Sequence, residues 1–505
     1  MNENDEKRLI NYRPLFEFAL GMMAGISLCV ELPKLALTVF AVLALVFGAL
    51  MLLLKRKRIA VILLAALFGI ALASAALPLG IAKGEYSLEG LVSGVELKDG
   101  KQTLILESVK LNGAAFNKRA RLELTGGCAG YEFKIGDEVA AEASVRQPQL
   151  RFGTYDEYKS RLSQGVGLIA SSSKASVVSS GKLPLKRLVN GIRESIEQRI
   201  DAAFGDDSGL FSALILGDRS ELSDERAEAY RASGTAHLLA ISGFHMGIIA
   251  GAVAALIPKR MRLLRLIIVG LAAAAYCTVA AYTAGIVRAA IMTVCLLGAG
   301  VLQRRPDTLS ALSLAAIIIL VFNPFQLYSV GFRFSFAAVF GIALFAVSLN
   351  RAFKRMKLPR RLSQAAAVCL AASAGTLMLQ LRYYSYFTPY SVLANLIAVP
   401  AFSAVVTLGL IAALLAFVSP AAASAFAVLP RGILFAVEKL LGAVSKLPLA
   451  SVEFAPPSAY ACLIFLVLLF ALSEYVLRPP RKRAEIWLPI LILFTFSYFM
   501  GIINA

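Results

Sequence analysis

Both histidines of the 505-residue chain lie in one apolar stretch, together with a serine. His237, Ser242 and His245 occupy residues 233–251, and ionisable groups in such a stretch are expensive in a bilayer and mark a functional path or a helix contact. Ser242 and His245 are three positions apart and could touch on a helix, as a serine nucleophile and its histidine base would. However, Ser242 lacks the Gly-x-Ser-x-Gly elbow of α/β-hydrolases. We therefore expect no enzyme, and an intramembrane serine hydrolase centred on Ser242 stays an alternative.

The same stretch offers little support for a metal site. His237 and His245 are eight positions apart, about 80° around an ideal helix, and a catalytic metal usually takes three protein ligands. The six cysteines form neither a CxxC pair nor a Cys/His cluster. The sequence therefore predicts no metal and no cofactor. A row of small residues instead predicts a helix-packing seam, which is compatible with lining a path. The row consists of Ser242, Gly243, Gly247 and Gly251.

Three arginines lie within or at the ends of apolar runs, where acidic residues are scarce. They are Arg288, Arg333 and Arg382. Uncompensated arginines suit an anionic cargo such as the phosphates of DNA. Snorkelling to lipid headgroups is the alternative, and it fits Arg382 better than Arg288. Aromatic residues after Arg382 add surfaces on which bases could stack. They are Tyr383, Tyr384, Tyr386 and Phe387.

Composition places most of the chain in a membrane. Hydrophobic residues make up 58% and charged residues 16%, whereas about a quarter of the residues in a soluble globular protein are charged. The formal net charge of +19 could suggest nucleic-acid binding, but most of the excess falls in short segments between hydrophobic runs. Cytoplasmic loops of membrane proteins carry such an excess, so the basicity is mainly topological. The basic segments are residues 55–58, 259–265, 304–305, 351–361 and 478–483.

A polar segment, about 84–180, follows three hydrophobic runs. The runs at 15–31, 35–54 and 59–80 are each near the ~20 residues that a spanning helix needs. In the polar segment, alternating apolar residues separated by turn residues predict five strands, which suit a small OB-like β-barrel on the outer face. The predicted strands are residues 85–97, 101–111, 116–124, 137–147 and 167–179.

The rest of the chain consists mainly of further apolar runs. Residues 182–204 have apolar positions at helical spacing, which predicts an amphipathic helix lying along the membrane surface. Segments 391–418 and 425–447 could each span or re-enter, since Pro400 interrupts the first and charges lie within the second. The other predicted spans are residues 235–257, 263–284, 286–302, 308–322, 330–349, 363–380, 459–477 and 485–503.

The sequence thus predicts a polytopic α-helical membrane protein of about 11–13 membrane segments with an inserted small OB-like β-barrel. We divide the chain into four parts. They are N-terminal transmembrane helices (1–81), an extracytoplasmic OB-like β domain (82–181), amphipathic linker helices (182–232) and a transmembrane channel domain (233–505).

Several segments resemble the ComEC family of bacterial competence proteins. Residues 233–251 match its Gly-Thr-x-His-Leu-Leu-Ala-Ile-Ser-Gly motif with a following histidine, and 288–292 match its Arg-Ala-x-x-Met segment. Residues 323–324 and 331–336 are similar to an Asn-Pro…Gly-Phe-Gln-Leu-Ser-Phe segment, with Arg333 in place of the usual glutamine. The other similar segments are residues 136–139, 151–158 and 391–400.

The resemblance implies a channel that translocates single-stranded DNA across the bacterial cytoplasmic (inner) membrane during natural transformation. It implies a DNA receptor as a partner, and a cytoplasmic ATP-driven motor, since the sequence contains no P-loop. Many members continue into a metallo-β-lactamase-like domain, but no histidine follows His245 here, so we expect a separate nuclease. A small-solute transporter is a further alternative. The residues expected on the path or in its motif are His237, Ser242, Gly243, His245, Arg288, Arg333, Asn395, Asp218 and Arg219.

Overall fold

The computed structural model consists mainly of packed helices, with a β-barrel inserted after the third helix. The first three helices coincide with the three predicted opening runs. They are α1 (Pro14–Glu31), α2 (Lys34–Leu53) and α3 (Lys57–Ala76). The structure describes residues 13–98, 101–125, 133–149, 151–152, 155–218, 222–239, 241, 243–280, 282–475, 487–495 and 497–498.

Helices α1 and α3 approach so closely that only glycine fits at their contact. A Cβ on Gly25 would lie 2.0 Å from the carbonyl oxygen of Ala66, and a Cβ on Gly69 would lie 2.3 Å from that of Met22. Between membrane helices, where lipid is as apolar as the side chains, such close backbone packing supplies much of the association energy.

The polar segment forms a closed five-stranded barrel. Strand β1 pairs with β2 on one edge and with β5 on the other, and the circuit closes through β4 and β8. Strands β4 and β8 run parallel, and the other neighbours in the circuit are antiparallel. Register shifts within β1 bend this 15-residue strand, as bulges do, so that it reaches both neighbours. The strands are β1 (Gly84–Lys98), β2 (Lys101–Leu111), β3 (Ala114–Ala115), β4 (Arg119–Leu124), β5 (Glu138–Arg146), β6 (Arg151–Phe152), β7 (Tyr155–Asp156), β8 (Val166–Ser172) and β9 (Ala175–Ser179).

The alternation of apolar residues in the sequence correctly identifies the side chains that form the barrel core. In β5, Val139, Ala141, Ala143 and Val145 are buried while the residues between them are not, as a half-buried strand requires. The predicted strand 167–179 is interrupted, because Ser172 turns its hydroxyl onto the backbone carbonyl oxygens of Glu142 and Lys174. Both halves, β8 and β9, still pair with the same edge of β5.

A short helix that the sequence did not predict docks the barrel onto the membrane helices. Helix α4 (Glu157–Ser163) lies between β7 and β8. The carbonyl oxygen of Ser163 accepts two hydrogen bonds, from Nδ2 of Asn323 at 2.9 Å and from Nε2 of Gln326 at 3.0 Å. Leu162, 1% exposed, packs into the same cluster as Phe325 and residues of α1. The barrel is therefore fixed to one end of the helical bundle.

Helix α5 (Pro184–Phe204) extends from the barrel into the bundle. At its start Lys186 pairs with Glu107 of β2, which Arg119 also contacts. Burial acts to raise the pKa of Glu107, but the hydrogen bonds and charges of Lys186 and Arg119 outweigh it and hold that pKa below its usual range. At its end Phe204 is completely buried. Apolar residues of the first half, predicted to lie on the membrane surface, are exposed. These residues are Leu185, Leu188 and Ile192.

The predicted span 235–257 is wrong as a single helix. A 3₁₀ turn, Ala236–Leu239, ends before Ile241, and a new helix begins two residues later. Leu238 and Leu239 pack in a cluster with residues 394–441, whereas Ile241 packs with helices further along the chain. Because neighbouring residues pack into two different clusters, the helix is interrupted although the sequence is continuously hydrophobic. The elements after α5 are α6 (Ser208–Ile215), α7 (Asp224–Ala232) and α8 (Gly243–Ala255).

The remaining helices follow the predicted runs, and both undecided segments form long helices. Helix α14 continues through Pro400 and α15 through Pro430. Of the predicted run 485–503, the structure describes residues 487–495 and 497–498, which are helical. The elements are α9 (Arg262–Val279), α10 (Ala284–Val301), α11 (Thr308–Phe322), α12 (Val330–Arg355), α13 (Arg360–Tyr384), β10 (Tyr386–Phe387), α14 (Ser391–Leu415), α15 (Pro420–Ser445), β11 (Val452–Glu453) and α16 (Ala459–Leu472).

Nine helices in the described part of the chain are long and apolar enough to cross a membrane, and three shorter apolar helices accompany them. The predicted polytopic α-helical membrane architecture with an inserted five-stranded barrel is therefore confirmed. The three boundaries between the four predicted parts stay predictions.

Candidate functional site

Two glycines bring separate motif segments into contact. Gly217 has φ +77°, and a Cβ there would lie 2.6 Å from Cδ1 of Ile241. Gly234 has φ +72°, and a Cβ there would lie 2.6 Å from Oγ1 of Thr388 and 2.7 Å from Cβ of Ser391. Both positions need glycine for backbone conformation and for space. The turn after α6, the histidine-containing stretch and the start of α14 therefore pack together.

Arg288 lies on the second turn of α10, where α8, α10 and α12 meet. The residue is 8% exposed. Its Nε donates to Oγ of Ser335 at 2.8 Å, and Nη1 lies 3.8 Å from Sδ of Met292. A Cβ on Gly243 would lie 3.2 Å from Nη2. Arg288 thus connects the motif of 233–251 with the 331–336 segment.

The partners of Arg288 distinguish it from those arginines of the helical region that carboxylates hold. Arg431 pairs with Asp207 (Nε to Oδ2, 2.9 Å) and Arg193 with Asp218 (Nη2 to Oδ2, 3.0 Å). Among the described residues, Arg288 has neutral partners only. A buried guanidinium without a counter-charge is expensive, and its planar fork of N–H donors matches phosphate or carboxylate oxygens. The junction can therefore bind an anion.

Arg333 is held by the protein itself. Its Nε donates to the carbonyl oxygen of Leu327 at 2.9 Å, and Nη1 donates to Oη of Tyr383 at 2.8 Å. The guanidinium carbon lies 5.4 Å from the ring centroid of Tyr328. These contacts join the start of α12 to the end of α13. Arg333 uses the same two nitrogens as Arg288, but its Nη1 donates to a hydroxyl oxygen at 2.8 Å whereas that of Arg288 lies 3.8 Å from a thioether sulfur, so Arg333 is held more firmly.

The two histidines occupy different environments. His245, on the first turn of α8, is 2% exposed, bonds the backbone of Leu214 and meets the ring of Phe244 edge-on at 5.4 Å. His237 is exposed, and it bonds the backbone of Gly234. The two histidines therefore do not share one site.

The other predicted site residues are distributed around this junction or lie outside the described residues. Asn395 of α14 is 8% exposed, and its Oδ1 has no hydrogen-bond partner in the described part of the chain. A buried amide oxygen of this kind is suited to a bound water or ligand group. Asp218, through Arg193, anchors α5. Ser242 and Arg219 lie outside the described residues.

The predicted small-residue seam is wrong at two of its four positions. A Cβ on Gly247 or Gly251 would meet nothing within 4 Å. Close helix contacts occur elsewhere, as between α12 and α13, where a Cβ on Gly341 would lie 2.3 Å from the carbonyl oxygen of Ala371. Small-residue spacing identifies a face of a helix, but it does not show which neighbour lies opposite.

Sequence reasoning also missed residues that hold these arginines. Ser335 accepts the hydrogen bond of Arg288, and its position in the 331–336 segment was the available signal. Asp207 pairs with both Arg226 and Arg431, so the charges within segment 425–447 are partly compensated. Among the described residues no group of three or more His, Cys, Asp or Glu side chains could hold a metal ion.

Comparison with known proteins finds one matching family and two similar proteins. A family model described as "Competence protein" matches residues 214–501, more than half of the chain. ComE operon protein 3 of Bacillus subtilis is 31% identical over 216 residues, 42% of this chain and 26% of that protein. Recombination protein 2 of Haemophilus influenzae is 33% identical over 116 residues, 22% of this chain and 14% of that protein. These matches thus span well under two thirds of either relative. No solved structure matches the chain.

Proposed function

Because the chain belongs to the ComEC family of competence proteins, we propose that it forms a channel for single-stranded DNA during natural transformation. We propose that it acts without enzymatic activity, so that covalent labelling of Ser242 by a fluorophosphonate probe would contradict this part of the proposal. The observation that carries the channel proposal is Arg288, a buried guanidinium with neutral partners at the junction of the family's motif segments.

A DNA strand in a low-dielectric slab needs water and positive groups along its route. Arg288 supplies a positive group inside the bundle. Exposed His237 in the same motif supports a wet route. An arginine facing lipid would cost at least ~2.5–3.5 kcal/mol on insertion scales, whereas an arginine facing an aqueous path recovers hydration and gains phosphate contacts.

We further propose that the barrel is OB-like and extracytoplasmic. A five-stranded Greek-key barrel is the OB architecture, and the observed circuit β1-β2-β4-β8-β5 with β1 paired to β5 fits it. The barrel docks at the end of the bundle where α11 ends and α12 begins. The basic segments follow the opposite ends of the helices, which positive-inside orientation places in the cytoplasm.

The proposal places the protein in the bacterial cytoplasmic membrane with partners for energy and processing. A DNA receptor would deliver the strand, a cytoplasmic ATP-driven motor would pull it, and a separate nuclease would degrade the other strand. Each of these partners is part of the proposal, because the matches cover only part of the relatives' lengths.

Uptake of labelled DNA in a deletion strain complemented with variants tests the function. Arg288→Glu should abolish uptake, because a carboxylate at the junction repels phosphate. Arg288→Lys should keep part of it, since lysine retains the charge but not the planar fork. Lys439→Glu, the same charge change at an exposed position of α15, is the matched control and should keep most uptake.

Intracellular label is normalised to membrane-inserted protein by immunoblot, so that failed insertion is not mistaken for a blocked path. Wild-type uptake by a well-inserted Arg288→Glu variant would overturn the arginine path. Normal uptake in the deletion strain would overturn the function itself.

A further inference from the structure

Three aromatic rings form a connected group beside the Arg288 junction, and we call Phe334, Tyr384 and Tyr386 the aromatic platform. The ring centroids of Phe334 and Tyr384 are 5.8 Å apart, and those of Tyr384 and Tyr386 are 6.0 Å apart. Phe334 directly precedes Ser335, the residue that accepts the hydrogen bond of Arg288. The platform and the Arg288 contact therefore lie at the same level along α12.

Backbone contacts hold the platform in place. Ser385, between the two tyrosines, has φ +60° and ends α13 in the left-handed conformation. Its carbonyl oxygen accepts from the N–H of Phe454 at 2.8 Å, and Tyr386 pairs with Glu453 in the β10–β11 ladder. The hydroxyl of Tyr386 donates to the carbonyl oxygen of Arg231 at 3.2 Å. A site fixed in this way loses little entropy when a ligand binds.

The surroundings of the platform favour water over lipid tails. Tyr384 is 46% exposed. Glu228 and Arg231 of α7, which are themselves largely exposed, lie close enough to Tyr386 to act on its hydroxyl electrostatically. The rings are tilted by 46° and 38° to one another, beside these charged groups. The platform therefore lies at an accessible surface next to the charged side chains of α7.

We propose that the aromatic platform binds unpaired nucleobases of the incoming strand before its phosphates reach Arg288. This inference rests on the proposed function and deepens it by naming what is recognised. Every base has a π-face and can stack on an aromatic side chain without sequence preference. In a duplex those faces are covered by neighbouring base pairs, so the platform selects single strands.

The test measures binding of fluorescent oligothymidylate, and of an abasic oligomer of equal length and charge, to the full-length protein in lipid nanodiscs. Wild-type protein should bind oligothymidylate roughly tenfold more tightly than the abasic oligomer. Tyr384→Ala should remove most of that difference and leave abasic binding unchanged, while Tyr384→Phe should retain it. Tyr460→Ala is the matched control, since Tyr460 is a 77%-exposed tyrosine at the start of α16 that the platform does not include.

Equal affinity of the wild-type protein for the two oligomers would overturn the platform and leave the channel standing. An unchanged preference in Tyr384→Ala, with Phe334→Leu also unchanged, would overturn it as well. Failure of the wild-type protein to bind either oligomer would contradict the proposed function, and the platform as a nucleobase site with it. Size-exclusion profiles that match the wild type exclude misfolding of the variants.

Discussion

Arg288 illustrates how the choice of partner sets what a buried charge can do. A carboxylate partner, as Asp207 is for Arg431, neutralises the guanidinium and would compete with any phosphate. The hydroxyl of Ser335 orients the guanidinium through Nε without cancelling its charge. The Nη side remains directed towards Gly243. A residue arranged in this way is a positioned cation, which a passing anion can contact and leave.

Space beside that cation is limited on the α8 side, which predicts the behaviour of Gly243. A Cβ there would lie 3.2 Å from Nη2 of Arg288 and 3.3 Å from Cβ of Ala289. Gly243→Ala should therefore be tolerated after shifts of a few tenths of an ångström. Gly243→Leu should displace the guanidinium and reduce uptake of labelled DNA by at least about tenfold, a loss equivalent to ~1.4 kcal/mol.

Gly247→Leu is the matched control for this prediction. It places the same side chain one helical turn further along α8, where a Cβ meets nothing within 4 Å. Its uptake should stay near the wild-type value at equal membrane content. If the two leucine variants behaved alike, the packing of Gly243 against Arg288 would have no functional meaning.

At the scale of elements, the docking of α4 depends on one carbonyl oxygen shared by two amide donors. Gln326→Ala should lower stability by no more than ~1 kcal/mol, because Asn323 still donates to Ser163. The double variant Asn323→Ala/Gln326→Ala leaves a carbonyl of a 6%-exposed residue unsatisfied, which costs ~1–3 kcal/mol. In thermal unfolding of the purified protein, the double variant should therefore lose more stability than the two single variants lose together.

Asn323→Ala also removes a local hydrogen bond, because Oδ1 of Asn323 accepts from the N–H of Phe325. The single variant loses this bond as well, so comparison of the double variant with the two single variants isolates the effect on docking. Gln164→Ala is the control, because its Oε1 takes part only in an exposed contact with Arg161. That variant should stay within ~0.5 kcal/mol of the wild type. Additive single effects would show that the two amides do not act on a common acceptor.

Elements set by hydrophobic length or alternation could be predicted from the sequence, whereas those set by tertiary packing could not. The strands β2 and β5 and the helices α1 and α11 lie within about two residues of their predicted bounds, a typical boundary error. Helix α4 was missed because seven residues of mixed polarity carry no periodic signal. The break at Ile241 was missed because the residues around it are continuously apolar, and only their distribution between two clusters reveals it.

The site could be predicted as a set of residues but not as an arrangement. Burial of Arg288 follows from the cost of a charge in lipid, and the structure places it beside Gly243 of the motif. Its hydrogen bond to Ser335 joins residues 47 positions apart, and no spacing rule connects helices at such a separation. The same limitation explains the wrong seam at Gly247 and Gly251.

At the scale of the whole molecule, long-range ion pairs gather the basic loops at one end. Arg13 pairs with Asp307 and joins the start of α1 to that of α11. Arg351 pairs with Glu474 and joins the ends of α12 and α16. The barrel segment contacts the other ends of α1 and α11, through the Lys159–Glu31 pair and the hydrogen bond of Asn323 to Ser163. The molecule is therefore polarised, with a basic face and a barrel face.

Positive-inside orientation assigns the basic face to the cytoplasm and predicts the labelling of single cysteines in a variant lacking the six native cysteines. Ala114→Cys, on exposed β3 of the barrel, should react with an impermeant maleimide in intact spheroplasts. Arg305→Cys, in the exposed segment after α10, should react only after permeabilisation. A cytosolic protein with a reactive thiol reports leakage. The reverse pattern would invert the molecule, and the barrel would then meet the strand after translocation rather than before it. Arg288 would keep its place in the path in either orientation, since its contacts lie wholly within the bundle.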